Sequence, residues 1–212
     1  MELFLHPASP NCVAVLMAAD ILGIKPKQQF VDLMSDAQHD VEFLSINPNA
    51  TVPVLRDNDF VLWETQAILQ YLSATVGDTP LWPEDIRARA DISRWQLWAV
   101  AHWIPSVQPY IFENLFKQFK GAGPPDPAVL ANAAARLDRY GGILNMHLRD
   151  REYLVGNSLT LADIASASYL MYAGPAAVPL APYAHVRRWF ERIASTSSWR
   201  HVVPSDGAQP LL

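Results

Sequence analysis

The sequence contains a single cysteine, Cys12, so no disulfide bond can form within the chain. Small secreted domains usually depend on several disulfides, and a disulfide-stapled secreted scaffold is therefore excluded. No apolar run approaches the roughly 20 residues that cross a bilayer. The first residues also lack the basic start and apolar stretch of a secretory signal. We therefore expect a cytoplasmic protein with no membrane partner.

Charge is also sparse, because only 17% of the 212 residues are charged and the net charge is -5. A mildly acidic chain gives no electrostatic reason to bind a phosphate backbone, so we expect no nucleic-acid partner. The chain lacks a Walker loop, a dinucleotide fingerprint and any metal-ligand spacing around His102 or His147, and we expect no metal. Half of the residues are hydrophobic, which is enough for a sizeable core and excludes a disordered chain.

The first 76 residues alternate between strand and helix patterns. Two strands separated by a helix predict a parallel pair with a right-handed crossover, and a later hairpin adds two more strands. We therefore predict a small α/β domain with a mixed sheet. The predicted elements, in the order strand, helix, strand, short helix, strand, strand and helix, cover residues 2–6, 11–22, 28–33, 36–44, 52–56, 60–63 and 64–76.

The chain changes character after residue 76, because no convincing strand pattern follows. Residues 77–85 contain glycine and proline and are interpreted as a linker, and residues 86–212 are predicted to form an all-helical domain. Pro105 and Pro109 should kink or break the first long helical region. The helical patterns cover residues 86–120, 128–147, 160–172 and 183–193.

Ser9 and Cys12 lie between the first predicted strand and helix, at the spacing of a Cys-x-x-Cys redox pair with serine in the nucleophile position. Serine cannot form a disulfide, which excludes a dithiol mechanism. Its hydroxyl can donate a hydrogen bond to a ligand's thiolate. The positive end of a helix also lowers the pKa of such a thiol. Alternatively, Ser9 only caps the helix. Cys12 is either a reactive thiol or, in the interpretation we favour, a buried and inert side chain.

Two further motifs flank the predicted hairpin. A cis bond between Val52 and Pro53 would let the backbone of Val52 pair with an extended peptide, whereas an ordinary trans proline at an edge strand is the alternative. Glu64 and Thr65 open a helix, where the carboxylate can bind an ammonium group and the hydroxyl can bind a carboxylate together with backbone N–H groups. Plain helix capping is the alternative for this pair.

The remaining candidates are structural or undecided. Thr160 and Asp163 match a capping box before a very apolar helix and are interpreted as a structural cap. His39 either meets a ligand's carboxylate or is only solvated. The aromatic residues of the helical region are expected mainly in the core, with some as candidates for an apolar second-substrate pocket between the domains: Trp95, Trp98, Trp103, Tyr110, Phe112 and Phe116.

The order of these motifs resembles the glutathione transferase family, in its serine-type, bacterial-like form. The resemblance rests on Ser9 to Cys12 after the first strand, Asn47-Pro48 ahead of Val52-Pro53, Glu64-Thr65 opening the third helix, and the capping box in the helical half. It extends over residues 2 to 200. It implies a thioredoxin-like glutathione-binding domain at 1–76, a helical domain at 86–212 and a homodimer.

The resemblance also implies a role for each candidate residue. The Ser9 hydroxyl would hydrogen-bond the glutathione sulfur, and Val52, before a cis Pro53, would pair its backbone with the cysteinyl part. The γ-glutamyl end would bind to Glu64 and Thr65, and His39 would lie near the glycine carboxylate.

Three departures from the family pattern affect the glutathione contacts. Thr65 replaces the usual serine and keeps the hydroxyl. Thr51 stands where many members have Lys or Gln, which removes a possible contact, and Asn49-Ala50 stands where Phe-Gly is common, so the loop and the dimer contact could differ.

The function implied is a detoxifying transferase that activates the glutathione thiolate for attack on a small hydrophobic electrophile. The same scaffold also supports a glutathione-dependent isomerase, dehalogenase or peroxidase, or a non-enzymatic binding or regulatory protein. Thiol transfer would require an exposed Cys12 with a low pKa.

Overall fold

The computed structural model describes residues 1–203, which form two compact units. The first unit comprises Met1–Trp82 together with the segment that begins at Thr196, and the second comprises Pro83–Ser195. The predicted helical domain therefore differs at its end, because a C-terminal helix that the sequence analysis missed contacts the first helix of the first unit. The last nine positions of the predicted range 86–212 lie outside the described residues.

A four-stranded mixed sheet forms the centre of the first unit, with the strand order β2-β1-β3-β4. β1 pairs in parallel with β2 and antiparallel with β3, which in turn pairs antiparallel with β4. This is the predicted βαβ and hairpin arrangement. The strands are Glu2–Leu5 (β1), Lys27–Phe30 (β2), Val54–Asp57 (β3) and Phe60–Trp63 (β4).

The two faces of this sheet differ. Leu3 and Leu5 are fully or almost fully buried, whereas Phe4 points to the opposite face and packs edge-on against Phe43. The second strand ends earlier than predicted because the Asp32 carboxylate accepts hydrogen bonds from the next N–H groups and turns the chain. The helices of this unit are Pro10–Ile21 (α1), Val41–Ile46 (α2), Thr65–Val76 (α3) and the C-terminal Ser197–Val202 (α10).

The second unit is entirely helical apart from its loops. Pro105 and Pro109 do not end the first helical path, which continues through π-helical turns at Ala99–Trp103 and Phe112–Phe116 on either side of the segment that holds them. Of the two predicted outcomes, the break does not occur and the kink stays a prediction. The apolar helix after Thr160 changes to a 3-10 turn at Ser168–Tyr172. The α-helices are Ile86–Trp98 (α4), Ile104–Ile111 (α5), Lys117–Phe119 (α6), Pro127–His147 (α7), Leu161–Ala167 (α8) and Ala184–Ala194 (α9).

Asp163 joins three segments of the helical unit through a buried carboxylate. It accepts hydrogen bonds from the N–H of Leu154 at 2.8 Å, from the N–H and O–H of Thr160 at 2.9 and 2.8 Å, and from Trp189 Nε1 at 2.8 Å. Burial raises the pKa of Asp163, and the donated hydrogen bonds oppose that shift by favouring the carboxylate. The side chain therefore ties α8 to α9 and to the loop at residue 154.

Replacing this carboxylate should destabilise the helical unit. In Asp163→Asn the side-chain NH2 group is a donor, and it faces N–H and O–H groups that also need an acceptor. We therefore expect the free energy of unfolding to fall by about 3 kcal/mol. Urea unfolding followed by circular dichroism measures this change. Asp150→Asn is the matched control, since Asp150 is exposed, and an equal loss in both variants would show that the network does not stabilise the fold.

Candidate active site

The sequence-predicted site residues come together at one end of the sheet because of the strand register. Phe4 of β1 pairs with Val54 of β3, and Val54 pairs with Trp63 of β4. Since β3 runs antiparallel to both neighbours, its start lies beside the ends of β1 and β4. The turn holding Ser9, the Val52-Pro53 dipeptide and the start of α3 therefore lie at the same sheet end.

The size of this sheet end suits a short extended peptide. Adjacent strands lie about 4.8 Å apart, so the two intervals from β1 to β4 span about 10 Å. Three residues in an extended chain cover about the same length. The strand geometry thus offers contacts along the whole length of a tripeptide.

Ser9 lies at the start of α1, where it is half-buried. Its N–H donates to the His6 carbonyl at 3.0 Å, and its Oγ accepts from the Cys12 N–H at 3.5 Å. A side-chain oxygen at this position satisfies a free N–H of the first helical turn. Ser9 therefore caps the helix and is also placed where the positive end of the helix dipole acts on a nearby anion.

Cys12 lies fully buried in the first turns of α1. Burial raises the pKa of its thiol to about 11, against weaker opposing hydrogen bonds from the His6 backbone and the Ser9 side chain. A reactive thiol needs exposure and a low pKa. The requirement that the sequence analysis set for thiol transfer is therefore not met.

Asn47 organises the loop that leads to Val52. It is fully buried, and its Nδ2 donates to the Thr51 carbonyl at 2.8 Å while its Oδ1 accepts from the Asn49 N–H at 3.0 Å. The following Val52-Pro53 bond is cis. Val52 is buried, yet among the described residues its backbone N–H and C=O have no hydrogen-bond partner. Buried backbone groups are normally paired, so these two are free for a ligand.

The first turn of α3 has no side-chain cap. Glu64 at the cap position makes no side-chain hydrogen bond to the first turn, unlike Ser9 on α1. Its φ of 73° lies in a region that costs a residue with a side chain about 1–3 kcal/mol. Thr65 is buried directly after it, and Glu64 itself is exposed. The plain capping alternative for Glu64 therefore does not hold.

His39 is the least engaged of the predicted residues. It is exposed in a short 3-10 turn after β2, and its side chain forms no hydrogen bond with any part of residues 1–203. β2 does end at the same sheet end, because Phe30 pairs with Leu5. The strand register thus brings the chain that carries His39 toward the others.

The sequence analysis assigned no role in the site to two residues near this sheet end. Asn47 was named only among the motifs of the family resemblance, and His6 only as the last residue of the strand predicted at residues 2–6. His6 is buried, and its Nδ1 accepts from the Ala8 N–H at 3.1 Å in the turn before Ser9. A polar residue at the end of an apolar strand was the available signal for His6, and Asn ahead of Pro was the signal for Asn47.

The aromatic candidates of the helical unit divide by burial. Trp95, Trp103 and Tyr110 are buried, as expected for core residues, whereas Phe112 is exposed.

None of the helices formed by residues 1–203 combines the length and apolar character needed to cross a bilayer. The same residues contain no group of three or more histidine, cysteine or acidic side chains that could hold a metal ion.

Comparison with known proteins gives matches over both units. The family model of the glutathione S-transferase N-terminal domain matches residues 1–74, and that of the C-terminal domain matches residues 105–196. A glutathione S-transferase III solved in its apo form is 32% identical with a TM-score of 0.84, over 96% of this chain and 95% of that one.

Two further solved structures are similar along almost the whole chain. Glutathione transferase F7 from Populus trichocarpa has a TM-score of 0.88 at 24% identity, covering 100% of this chain and 99% of that one. A glutathione S-transferase I bound with lactoylglutathione has a TM-score of 0.85 at 24% identity, covering 95% and 97%.

The mixed sheet with its flanking helices is a thioredoxin-like domain, and a helical domain follows it along the chain. The fold is therefore that of a two-domain protein, with the candidate site on the thioredoxin-like domain. With both domain models matched, the chain belongs to the glutathione S-transferase family and is a glutathione transferase.

The buried Asn47 gives a test of how this sheet end is built. Asn47→Ala removes a fully buried amide together with its hydrogen bonds on both sides of the loop, so we expect the free energy of unfolding to fall by about 2–3 kcal/mol. Chemical unfolding measures the change. Asn49→Ala is the control, because it keeps the backbone bond to Asn47 and loses only the single hydrogen bond that its exposed side chain donates to Asn47 Oδ1. It should cost less than about 1 kcal/mol.

Proposed function

We propose that this protein binds glutathione across the sheet end and activates its thiol, as a thiolate, for attack on small apolar electrophiles. The observation that carries the proposal is the convergence of Ser9, Val52 and the α3 N-terminus on one sheet end whose width matches a tripeptide. Thiolate chemistry fits this arrangement because the protein's own thiol is buried with a raised pKa. The nucleophile is then the ligand's sulfur.

Ser9 is the group proposed to act on that sulfur. A free thiol has a pKa near 8.5, and a hydrogen bond from a hydroxyl together with the positive end of a helix favours the charged form. The Ser9 oxygen accepts from the Cys12 N–H. Because the buried Cys12 thiol keeps its own proton and is a weak acceptor, the Ser9 hydroxyl can direct its proton to the sulfur of the ligand. In this arrangement the enzyme gains rate by holding a thiolate close to the electrophile and stabilising its charge.

The other contacts follow the length of the tripeptide. The free N–H and C=O of Val52 would pair with the cysteinyl backbone as one rung of a sheet. Glu64 would bind the γ-glutamyl ammonium, and the uncapped N–H groups of α3 with the Thr65 hydroxyl would bind its carboxylate. The glycine carboxylate would lie toward His39.

The electrophile, the assembly and the setting are part of the same proposal. The similar protein bound with lactoylglutathione carries a ligand whose glutathione sulfur bears an acyl group, which supports an acceptor site beside the sulfur here. The homodimer follows from the family resemblance, and Leu97, Val100, Ile143 and Met146 are exposed apolar side chains of the helical unit that a partner subunit would be able to bury. A cytoplasmic detoxifying role is consistent with this chemistry.

Ser9→Ala tests the catalytic assignment. Losing the donor to the thiolate should lower kcat/KM with a chlorodinitrobenzene electrophile on the order of 100-fold. The Kd of S-hexylglutathione, whose sulfur is alkylated and carries no charge, should stay within about twofold because a thioether sulfur is only a weak hydrogen-bond acceptor. Steady-state kinetics and calorimetry supply the two measurements.

Ser9→Asp separates catalysis from capping. Aspartate caps a helix as well as serine does, so stability is retained, but its negative charge repels a thiolate and kcat/KM should fall at least as far as in Ser9→Ala. Wild-type activity in both variants would remove Ser9 from the mechanism.

Glu64→Gln tests the γ-glutamyl end of the proposed site. Removing the charge weakens a charge-assisted hydrogen bond to the ammonium group, and we expect the Kd of glutathione to rise roughly tenfold. Calorimetric titration measures this affinity. Glu42→Gln is the matched control, because Glu42 is an exposed acid on α2 outside the proposed site. Unchanged glutathione affinity in Glu64→Gln would show that the ligand binds elsewhere.

A further inference from the structure

His6 occupies the position between the end of β1 and the turn that presents Ser9. It is only 6% exposed, which is unusual for a histidine that the chemistry of glutathione activation does not require. Two of its groups take part in hydrogen bonds within the turn that follows β1. Its imidazole accepts from the Ala8 N–H, and its carbonyl accepts from the Ser9 N–H.

We infer that His6 is a positioning residue for Ser9, which its neutral imidazole and its backbone carbonyl hold in place by fixing two successive N–H groups of the turn. This inference rests on the proposed role of Ser9 in activating glutathione. It extends that role by naming the side chain that sets the position of the hydroxyl and by predicting a second ionisation in the activity.

The bond from Ala8 defines the protonation state of the imidazole. A backbone N–H can only donate, so the Nδ1 atom 3.1 Å away must carry a lone pair and no proton. A protonated imidazole is a donor at both nitrogens and would place two donors against each other. The observed turn therefore exists only with neutral His6.

The hydrogen bond at the His6 carbonyl restrains the backbone of Ser9. The Ser9 N–H donates to the His6 carbonyl at 3.0 Å, and the Ser9 carbonyl accepts from the Val13 N–H at 3.0 Å. The backbone of Ser9 is thus held on both sides, by His6 and by the first turn of α1. Releasing the His6 side leaves the hydroxyl free to move, and a displacement of about 1 Å is enough to cost 100-fold in rate.

The surroundings of His6 favour its neutral form. Its ring packs against Phe30 with the ring centroids 5.2 Å apart, and burial lowers its pKa from 6.5. Asp32, just beyond β2, opposes this shift, and the Cys12 thiol on α1 stays protonated. A lowered pKa means that the turn is intact above pH 6.5 and is lost as the pH falls through the lower value of the folded protein.

Two substitutions test the inference through activity. His6→Leu keeps an apolar volume but has no acceptor, so kcat/KM should fall roughly fivefold or more while S-hexylglutathione still binds. His6→Asn offers an oxygen that accepts from an N–H two residues ahead, as in an Asx-turn, and cannot titrate. It should restore activity at neutral pH.

The pH profile distinguishes positioning from simple packing. Below the pKa of His6, log kcat/KM of the wild type should fall with the slope of two ionisations, the glutathione thiol and His6, whereas His6→Asn should show one. His185→Asn, a histidine of the helical unit, is the matched control and should keep the wild-type profile. If log kcat/KM falls identically at low pH in the wild type and in His6→Asn, the inference is overturned. This comparison remains decisive even if His6→Leu fails to fold.

Amide hydrogen exchange gives a readout that does not depend on catalysis. Protection of the Ala8 and Ser9 amides, relative to His6→Asn at the same pH, should be lost in the wild type as His6 protonates. A Ser9→Ala variant with full activity would reject the proposed role of Ser9 while leaving this measurement unaffected. Amide protection that is the same in both proteins at every pH would reject the role of His6 alone.

Discussion

The register of β3 against its two neighbours is the constraint on which the candidate site depends. Val54 faces Phe4 on one side and Trp63 on the other, and this antiparallel alignment brings the chain before β3 and the chain after β1 and β4 to one sheet end. A slip of one residue would turn every β3 side chain to the other face. It would exchange the faces on which Val54 and Leu55, both almost fully buried, pack, so the core packing and the alignment of the site depend on the same register.

The two helix starts at this sheet end differ in a way that fits two ligand groups. α1 is capped by Ser9, so its field acts through a hydroxyl that still has a proton to donate, whereas the first turn of α3 has no side-chain cap. A thiolate suits the hydroxyl of a capped helix start, whereas a carboxylate suits the free N–H groups of an uncapped one. The unpaired backbone of Val52 lies in the chain between these two helix starts, so all three contacts belong to the thioredoxin-like unit.

The sequence analysis succeeded where a few adjacent residues carry the signal. The hairpin around Asn58, the helix from Thr65 and the change to helices after the sheet all follow from local patterns, and the strand Phe60–Trp63 has the predicted bounds. For Pro105 and Pro109 only the predicted break is wrong, because the helical path continues through the π turns that flank them. The C-terminal helix Ser197–Val202 was missed because six residues are too few to show a helical period in the sequence. Its place against α1 follows from packing.

The sequence by itself determined the order of the strands and of the helices between them, the family resemblance and the chemical type of each site residue, because these depend on residue identity and on spacings of a few positions. Only the tertiary structure decided that Cys12 is buried with a raised pKa, that Glu64 leaves its helix uncapped and that Asn47 and His6 hold the flanking turns. The physical reason is that burial and strand register are set by residues tens of positions apart, whose distances no local pattern encodes.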